Sequence, residues 1–211
     1  MPAIELFLMF RFWKRPTMEA MLAAIRPCGI ALRDGVPLDA LLRKQTPSDS
    51  GRSRAMVEKR GFEMLLALMA DDPYDFEAHR DLDPYGDDVW HFDVEFIEDH
   101  GAYKTIADRL SRMTGGDLVF DQVADYVDVE GEAAWVELSQ GGKTERVELT
   151  VDNDWTDGKI FSEMQRRLCA TGSQRRFAWH TLGQDCLIVC QPPEKLKALN
   201  RVTGLRFRAM K

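Results

Sequence analysis

Residues 133–151, AAWVELSQGGKTERVELTV, carry two runs of alternating apolar and polar residues on either side of Gly141-Gly142. Successive side chains of a strand point to opposite faces, so this alternation marks a sheet with one buried face. A Gly-Gly pair supplies the positive φ values of a tight two-residue turn. The stretch predicts an antiparallel hairpin, and with it an antiparallel sheet in the middle of the chain. Upstream, LVFDQVADYVDVE (118–130) predicts a further strand, bent near Gln122. Downstream, RRFAWHTLGQDCLIVCQ (175–191) predicts a second hairpin turning near Gly183-Gln184.

Helical patterns separate these strands. HGAYKTIADRLSRMTGG (100–116) puts Tyr103, Ile106, Leu110 and Met113 near one face and ends in two glycines, as an amphipathic helix does. DWTDGKIFSEMQRRLCATG (154–172) predicts a helix that starts near Thr156 or Asp157 and ends before Gly172. PPEKLKALNRVTG (192–204) opens on prolines and closes on glycine, the expected helix asymmetry. LRFRAM (205–210) is a final strand.

Toward the N-terminus, IELFLMFRF (4–12) predicts a strand. Thr17 caps a helix over 18–26, with Glu19 near its positive end, where the dipole favours an acid. A turn at Asp34-Gly35 precedes a short helix capped by Asp39, and QTPSDSGRSR (45–54) is an exposed loop. Residues 55–70 have helical spacing with Gly61 as a weak point; 71–88 form an irregular acidic connection. WHFDVEFIE (90–98) alternates strictly and predicts a strand. Runs of antiparallel strands with inserted helices indicate α+β. The expectation is a mostly antiparallel sheet of hairpins, helices packed on one face and a helical N-terminal part. It is read as one unit over residues 1–211; if it divides, it divides into 1–86 and 87–211.

The chain has 211 residues, 45% apolar and 30% charged, enough to bury a sizeable core. No apolar run reaches the ~18 residues of a membrane span. The opening IELFLMFRFW breaks at Arg11 and reads as a strand rather than a signal peptide, so the expected location is the cytoplasm. Cys28, Cys169, Cys186 and Cys190 are few and irregularly spaced, which predicts reduced thiols rather than a disulfide framework.

The net charge of -7 is unevenly spread. Residues 71–100 hold twelve acids against one arginine, whereas residues 164–211 hold ten bases against two acids. An acidic middle repels nucleic acid and attracts basic partners. The basic tail interleaves with Phe177, Trp179 and Phe207, a pattern that also fits alternating core and solvent faces.

Several constellations could carry chemistry. His91, Asp93 and Glu95 share the polar face of WHFDVEF (90–96) and could hold a metal, but an iron facial triad needs a second histidine. The wet side of a sheet is the favoured reading, with the acid face available for binding a basic partner. DNDWTDGKIFSE (152–163) has the length and end acids of a calcium loop, yet the sixth position is Asp157 and not the required glycine. It reads instead as a strand-to-helix turn with acids at the helix start. Asp121, Asp125, Asp128 and Glu130 form an acid series with no accompanying phosphate cradle. Cys186 and His180 are hairpin neighbours, but Cys186 opens an apolar strand. None of the phosphate-binding, nucleophile-elbow or zinc-protease motifs occurs.

DVWHFDVEFIEDHGAYKTIADRL (88–110), DWTDGKIFSEMQRRL (154–168) and RRFAWHTLGQDCLIVC (175–190), in their spacing and element order, resemble small bacterial immunity-type proteins. The resemblance implies a cytosolic, non-catalytic inhibitor that occupies the surface of a cognate toxin and needs no cofactor. An acidic face meeting a basic toxin surface would steer that association. The residues expected to make the contact are Asp87, Asp88, Asp93, Glu95, Asp154, Trp155 and Asp157. The alternative is a metal-dependent hydrolase built on His91, Asp93 and Glu95.

Overall fold

The computed structural model describes residues 15–42, 53–71, 74–75, 80–81 and 84–210. The strand expected over 4–12 and most of the loop expected over 45–54 lie outside them. Helix α1 (Met18–Ile25) starts at Thr17, whose hydroxyl accepts the Ala20 N–H at 3.2 Å. Asp39 lies inside the 3-10 turn Leu38–Leu42 rather than capping it. Its carboxylate instead pairs with Arg54, which also holds Glu19. The helix expected over 55–70 is two helices, α2 (Arg54–Arg60) and α3 (Phe62–Ala70). Gly61 joins them at φ 77° and ψ -150°, a conformation for which only glycine is suited.

Within the acidic connection, β1 (Tyr74–Asp75) and β2 (Arg80–Asp81) form a small antiparallel pair. The remaining strands are β3 (Val89–Asp93), β4 (Gln122–Asp128), β5 (Ala133–Gln140), β6 (Lys143–Leu149), β7 (Arg176–Thr181), β8 (Asp185–Gln191) and β9 (Arg208–Ala209). Helix α4 spans Ala102–Met113, α5 Lys159–Ala170 and α6 Pro193–Thr203. No helix among the described residues is long and apolar enough to cross a membrane.

The strands make two larger antiparallel sheets, β3-β8-β7-β9 and β4-β5-β6, so the α+β expectation holds. The β5-β6 hairpin turns at Gly141 and Gly142, with φ 58° and 74°. Its register pairs Val136 with Val147 and with Asp125 of β4. Val123, Val127, Ala134, Val136, Leu138 and Leu149 face a core with α4, α5 and the Trp90-Phe92 side of β3.

Strand β8 is buried from Cys186 to Gln191. It lies between β3 and β7, and both of its faces are covered, which explains an apolar run without polar alternation. Cys186, Ile188 and Cys190 enter the first core. Leu187 and Val189 enter a second core with α1, α3 and α6, among them Met21, Leu65, Met69 and Leu199. Helices were expected on one face only; they lie on both faces of the four-stranded sheet. All four cysteines are unpaired, and burial pushes the Cys186 and Cys190 thiols up to about 12.

The strand expected over 90–98 ends at Asp93. There the Asp93 carboxylate accepts the Glu95 N–H at 3.0 Å and turns the chain. Residues 94–97 then run beside 154–156: Thr156 N–H donates to Val94 O at 2.8 Å, and Ile97 N–H to Asp154 O at 2.9 Å.

Candidate functional site

The loop from Ile97 to His100, the end of β4 with the residues after it, and the Asn153-Asp154 turn line an open groove of about 770 Å3. Glu98, Asp99, Asp128, Glu130 and Asp154 line it, and no lysine or arginine does. The groove is positioned by β4. The Asp125 carboxylate accepts the N–H groups of Gly101, Tyr103 and Lys104 at 2.9–3.2 Å, anchoring the start of α4 against the strand. Val127 N–H donates to His100 Nδ1 at 3.2 Å. The Asp99 carboxylate lies 3.2 Å from the same Nδ1.

His100 also opens a ladder across the outer face of the three-stranded sheet. Its ring lies 4.8 Å from that of Tyr126, and Tyr126 stacks on Trp135 at 6.0 Å and 13°. The Arg146 guanidinium covers Trp135 at 3.9 Å. Glu137 fixes that guanidinium by accepting from Nε at 2.9 Å and Nη2 at 2.7 Å. The order follows from register, since Tyr126 pairs with Trp135 and Glu137 with Arg146. Sequence reasoning missed this ladder, although extending the alternation of β5 to its cross-strand partners would have found it.

The expected contact residues divide into separate groups. Glu95, Asp154 and Trp155 come together through the antiparallel bridge of Glu95 with Trp155. Trp155 is 46% exposed, which makes it an anchor candidate rather than a core residue. Asp93 is nearby but spends one oxygen on the Glu95 N–H and on Gln184 at 3.3 Å. Asp157 is a scaffold residue: its carboxylate accepts from Thr150 N at 2.7 Å and from Lys159 N at 2.8 Å.

Asp87 and Asp88 lie in a different cleft, of about 380 Å3, with Arg33, Arg112 and Arg175. Asp87 meets Arg33 at 3.6 Å. Asp88 accepts the Ala31 N–H at 3.1 Å, and its burial raises its carboxyl above the usual range. These two acids therefore sit among cations and do not extend the acidic groove.

The remaining constellations serve the fold. His91 Nε2 lies 3.3 Å from Asp185, opposite Leu187 on the second-core side. Among the described residues no group of three or more His, Cys, Asp or Glu is placed to hold a metal ion. Cys186 and His180 point to opposite faces: Cys186 enters the first core, whereas His180 packs against Phe207 of the second. In the acid series, Asp121 accepts from Gly142 N at 2.9 Å and Asp128 from Gly131 N at 2.8 Å, so both hold turns. The basic tail is partly neutralised internally: Arg167 and Arg166 bind Glu163 and Glu145 at 2.7–3.1 Å.

No protein-family model, curated protein or solved structure matches this chain.

Proposed function

We propose that this protein is a non-catalytic, immunity-type inhibitor that binds the basic surface of a cognate toxin in the cytoplasm. The observation that carries the reading is the groove lined by five carboxylates and no lysine or arginine, with Trp155 exposed beside Asp154. Clustered like charge attracts an oppositely charged partner over distance and raises the rate of encounter. An aromatic anchor next to a polar rim then supplies desolvated contact area. Glu95, Asp154 and Trp155 are the central contact residues, with Asp93 at the margin; Asp87, Asp88 and Asp157 are assigned to the scaffold.

The test is affinity capture from the extract of the native cell, followed by assay of the captured protein's toxicity. A stoichiometric basic partner should elute with salt, and its toxicity should fall when the chain is added back. A chain carrying Glu95→Lys and Asp154→Lys should fold, yet fail both to retain and to neutralise it. Retention by that variant, or a captured partner that is not neutralised, removes the reading.

A further inference from the structure

None of the side chains on the outer face of the β4-β5-β6 sheet is fully buried, and Ala133, Thr144, Arg146 and Glu148 are exposed. The face already holds one guanidinium, that of Arg146, between the plane of Trp135 and the carboxylate of Glu137. One step along the same ladder, Tyr126 and His100 offer a second aromatic surface. Glu98, Asp99, Asp128, Glu130 and Asp154 line the same groove as that step, and Asp99 Oδ1 already lies 3.2 Å from His100 Nδ1. The second step thus has the ring and the carboxylates but no lysine or arginine of its own.

We propose that this sheet face docks a basic segment of a partner protein by seating an arginine guanidinium on the His100-Tyr126 step. The proposal rests on the acidic-face reading above and specifies the chemistry of the partner. Charge complementarity selects the occupant: five carboxylates line the groove and no lysine or arginine does. Arginine is preferred over lysine because its planar guanidinium stacks on a ring while it hydrogen-bonds carboxylates in its own plane. A lysine ammonium satisfies the charge without the stacking. The volume of about 770 Å3 admits several residues around the seated side chain.

The probes are hexa-arginine and hexa-lysine peptides, titrated into the full chain at low salt by calorimetry. Nuclear magnetic resonance of the Tyr126 ring and the Trp135 indole N–H reports the place of binding. The expected result is an arginine preference of about tenfold, in line with a partly desolvated cation-ring contact. Tyr126→Ala should erase that preference and leave hexa-lysine affinity unchanged, while Tyr126→Phe should keep it. Equal affinity of the two peptides, or a preference that survives Tyr126→Ala, overturns the proposal. If the peptides bind equally and Asp128→Asn with Glu130→Gln weakens both, guanidinium docking falls and the acidic-face reading stands. If neither peptide binds, docking on this face falls, and the acidic-face reading then depends on the Glu95 and Asp154 experiment alone. Sedimentation that shows a dimer abolished by Tyr126→Ala puts a second copy on the face and also overturns the proposal.

Discussion

Asp125 replaces a cap that the start of α4 does not provide for itself. The residue before that helix is Gly101, at φ 94°, with no side chain to accept from the first turn. Asp125, on a neighbouring strand, takes two of those N–H groups, from Tyr103 and Lys104, and that of Gly101 itself. Asp125→Ala should therefore lower stability by about 1–2 kcal/mol, the range of lost helix caps, measured by urea unfolding. Glu163 gives a pH-dependent counterpart. Its hydrogen bonds with Arg166 and Arg167 hold its carboxyl below the ordinary value. A depressed folded-state pKa contributes stability above the unfolded value near 4.5, and that contribution is lost as pH falls through the folded value. Glu163→Gln should destabilise the chain at pH 7, and the gap to the parent should close as unfolding is followed into acid. At this scale the sequence was only partly legible. Asp121, Asp125 and Asp128 were visible as an acid series, but two of the three accept from backbone 21 or 24 positions away. Nothing local announces which N–H groups a carboxylate will meet after folding.

At the scale of elements, local signals carried far. The β5-β6 hairpin, the β7-β8 hairpin and helices α1, α4 and α6 lie close to the stretches that predicted them, because turn glycines, caps and periodicity are short-range chemistry. The long strand over 90–98 was not read correctly, because alternation continues past Asp93 while the chain itself turns there. The same holds for the helix over 55–70, divided by the backbone of Gly61. Gly61→Ala should cost on the order of 1–3 kcal/mol, the strain of an L residue at that φ, seen as a lower thermal midpoint. The centrality of β8 is the other element-level consequence. Ile188 has no exposed surface, so Ile188→Ala should lose about 2–5 kcal/mol in the same unfolding assay.

Over the whole molecule, strand order was the part least visible in the sequence. Trp90 pairs with Ile188, 98 positions later, and no local pattern encodes such a pairing. The arrangement ties the N-terminal helices to the C-terminal strands. Leu65, Leu66 and Met69 of α3 share a core with Leu187, Val189 and Leu199. A fragment of residues 1–86 should therefore give a poorly dispersed 1H-15N spectrum. A well-dispersed spectrum would establish that part as a unit of its own. The acidic groove, by contrast, is built entirely between residues 97 and 154, and its charge was legible from composition even though the aromatic ladder beside it was not.

The long separation of β3 from β8 also has a temporal meaning. A ribosome adds about 5–20 residues per second, so β3 waits on the order of 5–20 s for β8, its sheet neighbour among the described residues, to be made. During that interval the Trp90-Phe92 face and the apolar sides of α1 and α3 lack their native cover. Those are the surfaces that a nascent-chain chaperone meets, and a pause in translation within residues 94–185 would lengthen its hold.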